Sequence, residues 1–313
     1  MSPGFVVSKL VRCLVTLLLA VTFVFIVLRL SGDPAQRMLP DDVDASVIEA
    51  YRRMWGLDKS MPEQFVRYIV SVLRGDFGIS FRDNREAIDV VSERIPATLA
   101  LGFLALAITI FLGVPAGIFA ALNKGRWLDR AMMTATILGH SLPNFFLGIL
   151  LILCFSMTLR WLPSSGIGTW QHLVMPALTL GTAFAGTVAR FTRSSMLEVL
   201  DQPFMRTARA KGVSKQTRTL RHALPNAAIP IVTVIGLRLG ALVGGATVVE
   251  TVFGYPGVGL LLVNSVAQRD LAVVQAVVLL IAFSMVVVNL VVDLAYGWLD
   301  PRIAALEERE AAT

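Results

Sequence analysis

Six apolar runs decide the fold class of this 313-residue chain. A helix needs about 20 predominantly apolar residues to cross a bilayer. Runs of this kind occupy 10–29, 98–121, 131–158, 173–189, 229–250 and 273–297. In hydrocarbon every backbone N–H and C=O must be satisfied within the chain, so the runs predict helices and an all-α membrane protein. Composition agrees, with 55% apolar residues, 16% charged residues and a mean hydropathy of +0.70. Ordinary soluble domains carry about a quarter charged residues. The 173–189 run is the shortest and holds Pro176, Gly181 and Gly186. Small residues let helices approach closely in lipid, which places this run inside the bundle. Lys9 and Arg12 precede the first run as in a signal peptide, but the run is long and ends in "LRLSGDP" without a small-x-small cleavage site. It is read as an uncleaved span.

The net charge of +6 does not indicate nucleic acid, because the cations sit between apolar blocks. That is the pattern of membrane orientation. Segment 122–130 carries Lys124, Arg126 and Arg130, and segment 190–228 carries eight cations. The short segments 159–172 and 251–272 carry one each, Arg160 and Arg269. Positively charged loops stay in the cytoplasm, so both termini are expected there and 30–97 outside. The expected organisation is an N-terminal span (1–29), a periplasmic helical segment (30–97), a five-helix core (98–300) and a cytoplasmic tail (301–313). Within 30–97, Ser60 and Glu63 have capping-box spacing, and Phe65, Tyr68, Ile69, Val72 and Leu73 recur at helical period before Gly75. This predicts an amphipathic helix lying on its own bundle.

Catalytic signatures are missing. No G-x-x-x-x-G-K-[ST] phosphate loop, H-E-x-x-H, paired-cysteine motif or G-x-S-x-G occurs. His140, His172 and His222 are scattered, with no metal-ligand neighbour at i+3 or i+4. Cys13 and Cys154 lie within apolar blocks and read as buried small hydrophobes. No catalytic residue, metal or cofactor is expected, and no Asp/Glu/His relay of the kind a proton-coupled carrier needs is present.

The 39-residue segment 190–228 is long for a linker. Asp201 is the expected N-cap of a short helix over 204–211, with Pro203 in its first turn. Gly212 stops that helix in the left-handed conformation. Ser214 caps a second short helix ending near Leu224-Pro225. Ala208 and Ala210 keep one face thin, and Phe204 and Met205 offer apolar anchors. Such a helix pair, lying crosswise beneath the membrane, suits insertion into a groove on a cytoplasmic partner.

Gly212, nine residues, His222, one residue and Leu224-Pro225 fit the spacing of the EAA motif, E-A-A-x(3)-G-x(9)-I-x-L-P. The chain resembles the membrane subunits of ATP-binding-cassette importers, in particular the dipeptide/oligopeptide/nickel branch. The resemblance runs almost end to end, through "RGDFGIS" (74–80), "SLPNFFLGILL" (141–151), "ARFTRSSMLEVL" (189–200), "RTARAKGVSKQTRTLRHALPNAAIP" (206–230) and "GGATVVETVFGYPGVG" (244–259). Arg206 and Thr207 depart from the Glu and Ala of the motif's head, and His222 from its Ile. The resemblance implies a type I importer permease of six transmembrane helices. Its coupling helices (201–225) lie between helices 4 and 5. The implied partners are a second homologous permease, two ATP-binding subunits that hydrolyse ATP, and a periplasmic substrate-binding protein, all at the bacterial inner membrane. Carried over residue by residue, Ala208, Gly212, Leu224 and Pro225 are the coupling positions, flanked by Phe204, Arg209 and Lys211. Relatives transport peptides, nickel chelates, glutathione, opines and some oligosaccharides, with specificity resting largely in the binding protein.

Arg238 is an oddity, about 13–14 Å along the fifth span from Ile229 at 1.5 Å per residue. It either pairs with a second permease or backbone carbonyls, or lines a wet pathway and attracts an anionic substrate group. Glu250, Phe253 and "GYPGVG" (254–259) read mainly as a plain turn at the outer mouth. The competing function is a stand-alone secondary carrier or channel for a small anionic solute, against which the motif spacing and the missing relay acids argue.

Overall fold

The computed structural model describes residues 3–30, 43–54 and 57–299, and these are helical throughout apart from turns and one isolated bridge between Ile79 and Glu86. Helices follow in the order α1 (Pro3–Leu30), α2 (Ala45–Met54), α3 (Met61–Leu73), α4 (Ala87–Ser92), α5 (Ile95–Leu122), α6 (Trp127–Ser141) and α7 (Asn144–Leu151). After these come α8 (Gln171–Leu200), α9 (Pro203–Ala210), α10 (Lys215–Thr217), α11 (Leu224–Val252), α12 (Val258–Ala267) and α13 (Leu271–Leu299). Among the described residues five helical stretches are long and apolar enough to cross a membrane. They overlap the expected runs 10–29, 98–121, 173–189, 229–250 and 273–297, the stretch Lys215–Arg238 sharing only 229–238 with the fourth of these.

The third expected span is not one helix. It breaks at Leu142-Pro143, where the ring removes a donor and the residue before it is pushed out of the helical region. α7 then restarts and widens into a π-helical stretch over Ile152–Thr158. The 173–189 run, by contrast, lies within the 30-residue α8. α8 is the most buried of the long helices and the centre of the bundle, packing on α5, α6, α7 and α11.

Glycine permits that packing. A Cβ on Gly117 of α5 would stand 2.5 Å from the Ala189 carbonyl oxygen and from Thr192 Cβ, both on α8. A Cβ on Gly181 of α8 would stand 2.8 Å from the Ala105 carbonyl oxygen on α5. Helices in lipid gain no hydrophobic drive from meeting one another, so van der Waals contact at such closeness carries the association. Thr109 Oγ1 adds a hydrogen bond across the seam to the Gly181 carbonyl, at 2.9 Å.

In the segment before α5, the amphipathic α3 folds back on α1. Phe25 of α1 meets Phe65 edge-on at a centroid distance of 5.2 Å and Tyr68 at 5.5 Å. Packing on the chain's own bundle is therefore as expected, and Gly75 ends the helix with φ +74°. Ser60 is the N-cap, but it makes no side-chain cap bond, and Glu63 instead pairs with Arg67 at 2.9 Å. The two cysteines are free and are not buried as expected: Cys13 is half-buried and Cys154 exposed. The expected tail 301–313 and residues 31–42 lie outside the described residues.

Candidate partner-docking segment

The segment 201–225 begins where α8 ends. Asp201 closes α8 rather than opening the next helix, and its carboxylate pairs with Lys124 at 3.6 Å. The N-cap is Gln202, extended at φ −67° and ψ 150°, and Pro203 fills the first turn, where a missing N–H leaves nothing unsatisfied. Met205 turns inward and is buried with Met196, Ala223, Ala227 and Ile231. It anchors α9 to this chain, and Phe204 alone of the expected apolar pair faces outward, 42% exposed. Burying a methionine contributes about 1.5–3 kcal/mol, enough to hold a two-turn helix that is marginal by itself.

The stop at Gly212 is a Schellman turn. Val213 N–H donates to the Ala208 carbonyl and Gly212 N–H to the Arg209 carbonyl, each at 3.1 Å, with Gly212 at φ +72°. Ser214 then caps the next helix, its Oγ accepting from the Thr217 N–H at 3.2 Å. That helix does not end near Leu224-Pro225. It passes from α10 through a π-helical turn, Arg218–Ala223, into α11 without a break. Pro225 has no N–H to donate to the turn before it, and the wider π turn absorbs the mismatch. Asn226 Nδ2 donates to the His222 carbonyl at 2.6 Å, satisfying one acceptor there. The helix starting at Ser214 and the long span carrying Arg238 are therefore one rod.

Of the carried-over residues, Phe204, Arg209, Lys211, Gly212 and Pro225 are exposed, and Ala208 and Leu224 are half-buried. α9 packs against the π turn, so the helix carrying Phe204 and Ala208 lies beside the turn that leads to Leu224 and Pro225. Arg238 stands apart on α11, half-buried, and makes no hydrogen bond or ion pair among the described residues. His172 is tied locally to Thr169 Oγ1 at 2.9 Å, and no group of three or more potential metal ligands occurs among the described residues.

Three polar clasps escaped sequence reasoning. Arg193 of α8 donates through Nε and an NH2 group to both oxygens of Asp129 on α6, at 2.6 and 2.7 Å. Gly125 N–H also donates to Asp129, at 2.9 Å. The guanidinium of Arg193 holds the Asp129 carboxyl below the usual carboxylate range, against the opposing effect of burial. At the far end Glu250 is wholly buried and accepts from Thr98 Oγ1 at 2.6 Å and from the Gly259 and Leu260 N–H groups at 2.7 and 3.0 Å. It caps α12 and ties it to α5, so the expected plain turn at 254–259 is a buried clasp, with Phe253 and Tyr255 also buried. Gly257 is required there because a Cβ would strike the Glu250 carboxylate. Ser80 Oγ donates to Asp270, fastening "RGDFGIS" to the start of α13. The only hint of the second clasp was a lone acid ahead of a Gly-rich turn.

Comparison with known proteins fits this arrangement. The binding-protein-dependent transport system inner membrane component family matches residues 113–305, and its N-terminal membrane component residues 3–102. The glutathione transport system permease protein GsiC of Escherichia coli (strain K12) is 45% identical over 301 residues, 96% of this chain and 98% of that protein. Its counterpart in Shigella flexneri serotype 5b (strain 8401) is 44% identical over the same length, with the same coverage. Among solved structures, an inward-facing MetNI methionine ABC transporter in its CY5 native crystal form aligns with a TM-score of 0.58 at 18% identity, covering 68% of this chain and 97% of that one. An amino acid ABC transporter with histidines aligns at 0.52 and 17% identity, covering 67% and 94%. These two likenesses bear on the fold alone.

Proposed function

The chain belongs to the binding-protein-dependent transport system inner membrane component family, and from that premise we propose the following division of labour. The chain is the permease subunit of an ATP-driven importer and forms part of the pathway for a small peptide-like solute of the class to which glutathione belongs. Two ATP-binding subunits sit against 201–225, a second homologous permease completes the pathway, and a binding protein delivers solute from outside. Both termini and 201–225 face the cytoplasm. α6 and α7 together make a sixth, broken crossing. Arg238 lines the pathway and draws in a carboxylate or similar anion, since a mid-membrane cation without an internal partner is costly unless it faces water or ligand.

One observation carries this reading: α9, an exposed helix stopped by a left-handed glycine, packs on a rod that runs unbroken from Lys215 into a membrane-spanning helix. A push on the first must move the second. The chain contains no phosphate-binding loop, so hydrolysis belongs to partners. Purified alone and free of contaminating ATPase, it should hydrolyse no ATP. Joined to the ATP-binding subunits encoded with it, it should support hydrolysis that rises when loaded binding protein is added. Turnover by the lone chain would overturn the division of labour.

A further inference from the structure

The positive charges on the segment 201–225 have no counterpart among the described residues. Between Asp201 and Glu250 there is no acidic residue, while 202–225 holds six cations: Arg206, Arg209, Lys211, Lys215, Arg218 and Arg221. Five are exposed and Arg218 is half-buried. None of the six makes an ion pair among the described residues. Elsewhere exposed cations do find carboxylates: Arg53 with Glu49, Arg67 with Glu63, Arg85 with Glu93, Lys124 with Asp201. Six like charges on a compact helix-turn-helix repel one another, a cost that an external anion would offset. Amid these cations stand two large apolar side chains left uncovered, Phe204 on α9 and Leu220 on the π turn, 42% and 50% exposed. Attraction to a bilayer surface needs charge but no fixed shape. Here a Schellman stop, a capped second helix and buried Met205 hold both apolar residues on a rigid frame.

We infer that this surface fits a protein groove with an apolar floor, occupied by Phe204 and Leu220, and a rim of carboxylates facing the six cations. The inference rests on the coupling reading and adds to it a second apolar anchor, Leu220, and the charge of the partner's rim. The anchors supply affinity and the cations supply approach rate and choice of partner, because rim charges act mainly through electrostatic steering. Among several ATP-binding subunits in one cell, this chain selects one whose groove is acid-rimmed.

The test uses the chain assembled with its partner permease in nanodiscs of zwitterionic phosphatidylcholine, titrated with the fluorescently labelled ATP-binding subunit encoded with it. Raising salt from about 0.05 M to about 0.5 M shortens the screening length severalfold, and binding should weaken about ten-fold. Arg206→Glu and Arg221→Glu should each weaken binding about five- to ten-fold at low salt, a rim-charge effect, and converge on the unmodified chain at high salt. Leu220→Ala should weaken binding about ten-fold at both salts, as loss of a desolvated anchor does. Each variant is first shown to assemble with the partner permease as a monodisperse species. Charge reversals without effect, or effects seen only in discs containing phosphatidylglycerol, would assign the cations to lipid and overturn the rim. Unchanged binding by Leu220→Ala would remove the anchor. If the unmodified chain binds no ATP-binding subunit, the coupling reading itself fails, and the inference with it.

Discussion

Gly212 offers the sharpest perturbation, because its surroundings separate backbone strain from crowding. It sits at φ +72°, and a Cβ built there meets nothing within 4 Å. A substitution at this position therefore costs only the left-handed conformation itself. For a residue with a Cβ that is about 1–2 kcal/mol, less for asparagine, which tolerates the region, and more for a β-branched side chain. A difference of 1–2 kcal/mol changes the population of the native turn by a factor of about 5–30. The two Schellman bonds, from Val213 to Ala208 and from Gly212 to Arg209, would open in that proportion. The assay is hydrolysis stimulated by loaded binding protein in reconstituted transporter, with basal hydrolysis as the internal reference. Stimulation should fall in the order Gly, Asn, Ala, Val, with Gly212→Asn near the unmodified chain and Gly212→Val reduced at least about five-fold. Assembly should survive, because Met205 and its cluster still hold α9. If Asn, Ala and Val reduce stimulation equally, left-handed strain is not the cause. If none reduces it, the turn does not couple.

Other outcomes follow from particular contacts. Gly117→Val should destabilise the purified protein by about 3 kcal/mol or prevent folding, since its Cβ meets the Ala189 backbone at 2.5 Å; Gly102→Val on the same helix, with nothing within 4 Å, should be nearly silent in thermal melts. Asp129 has its pKa lowered in the folded protein by Arg193, so its stabilisation is present above about pH 4 and fades as pH falls below it. Asp129→Asn should lower stability by about 2 kcal/mol at neutral pH and flatten the acid limb of a melting-temperature series, and an unchanged limb would remove the pair from the account. Arg238→Gln should reduce uptake of carboxylate-bearing solutes about ten-fold more than uptake of neutral analogues, a differential of about 1.4 kcal/mol; equal loss of both would make the arginine structural.

Periodicity and hydropathy located the helices that cross or lie along the membrane because lipid leaves a chain few alternatives to helix. They could not show that 131–158 is two helices, since Leu142 and Pro143 continue the apolar run while breaking its hydrogen bonds. Nor could they show how far α8 extends, because Arg190, Thr192, Arg193, Ser194 and Ser195 interrupt the apolar run while the chain remains helical as far as Leu200. The segment 201–225 was legible through Pro203, Gly212 and Ser214, residues whose backbone chemistry is specific. Its continuity into α11 was not, because Pro225 ordinarily marks a boundary and the compensating π turn leaves no compositional trace. The clasps of Asp129 with Arg193 and of Glu250 with Thr98 join residues 64 and 152 positions apart. A single sequence carries no pairing information at that range.

The most direct measurement is solute uptake into proteoliposomes containing this chain, its partner permease and the ATP-binding subunits, with loaded binding protein on the side opposite 201–225. Supplying ATP without a proton gradient should drive accumulation, and imposing a proton gradient without ATP should drive none. Accumulation driven by the gradient alone, or by the chain without ATP-binding subunits, would contradict the account and restore a stand-alone carrier.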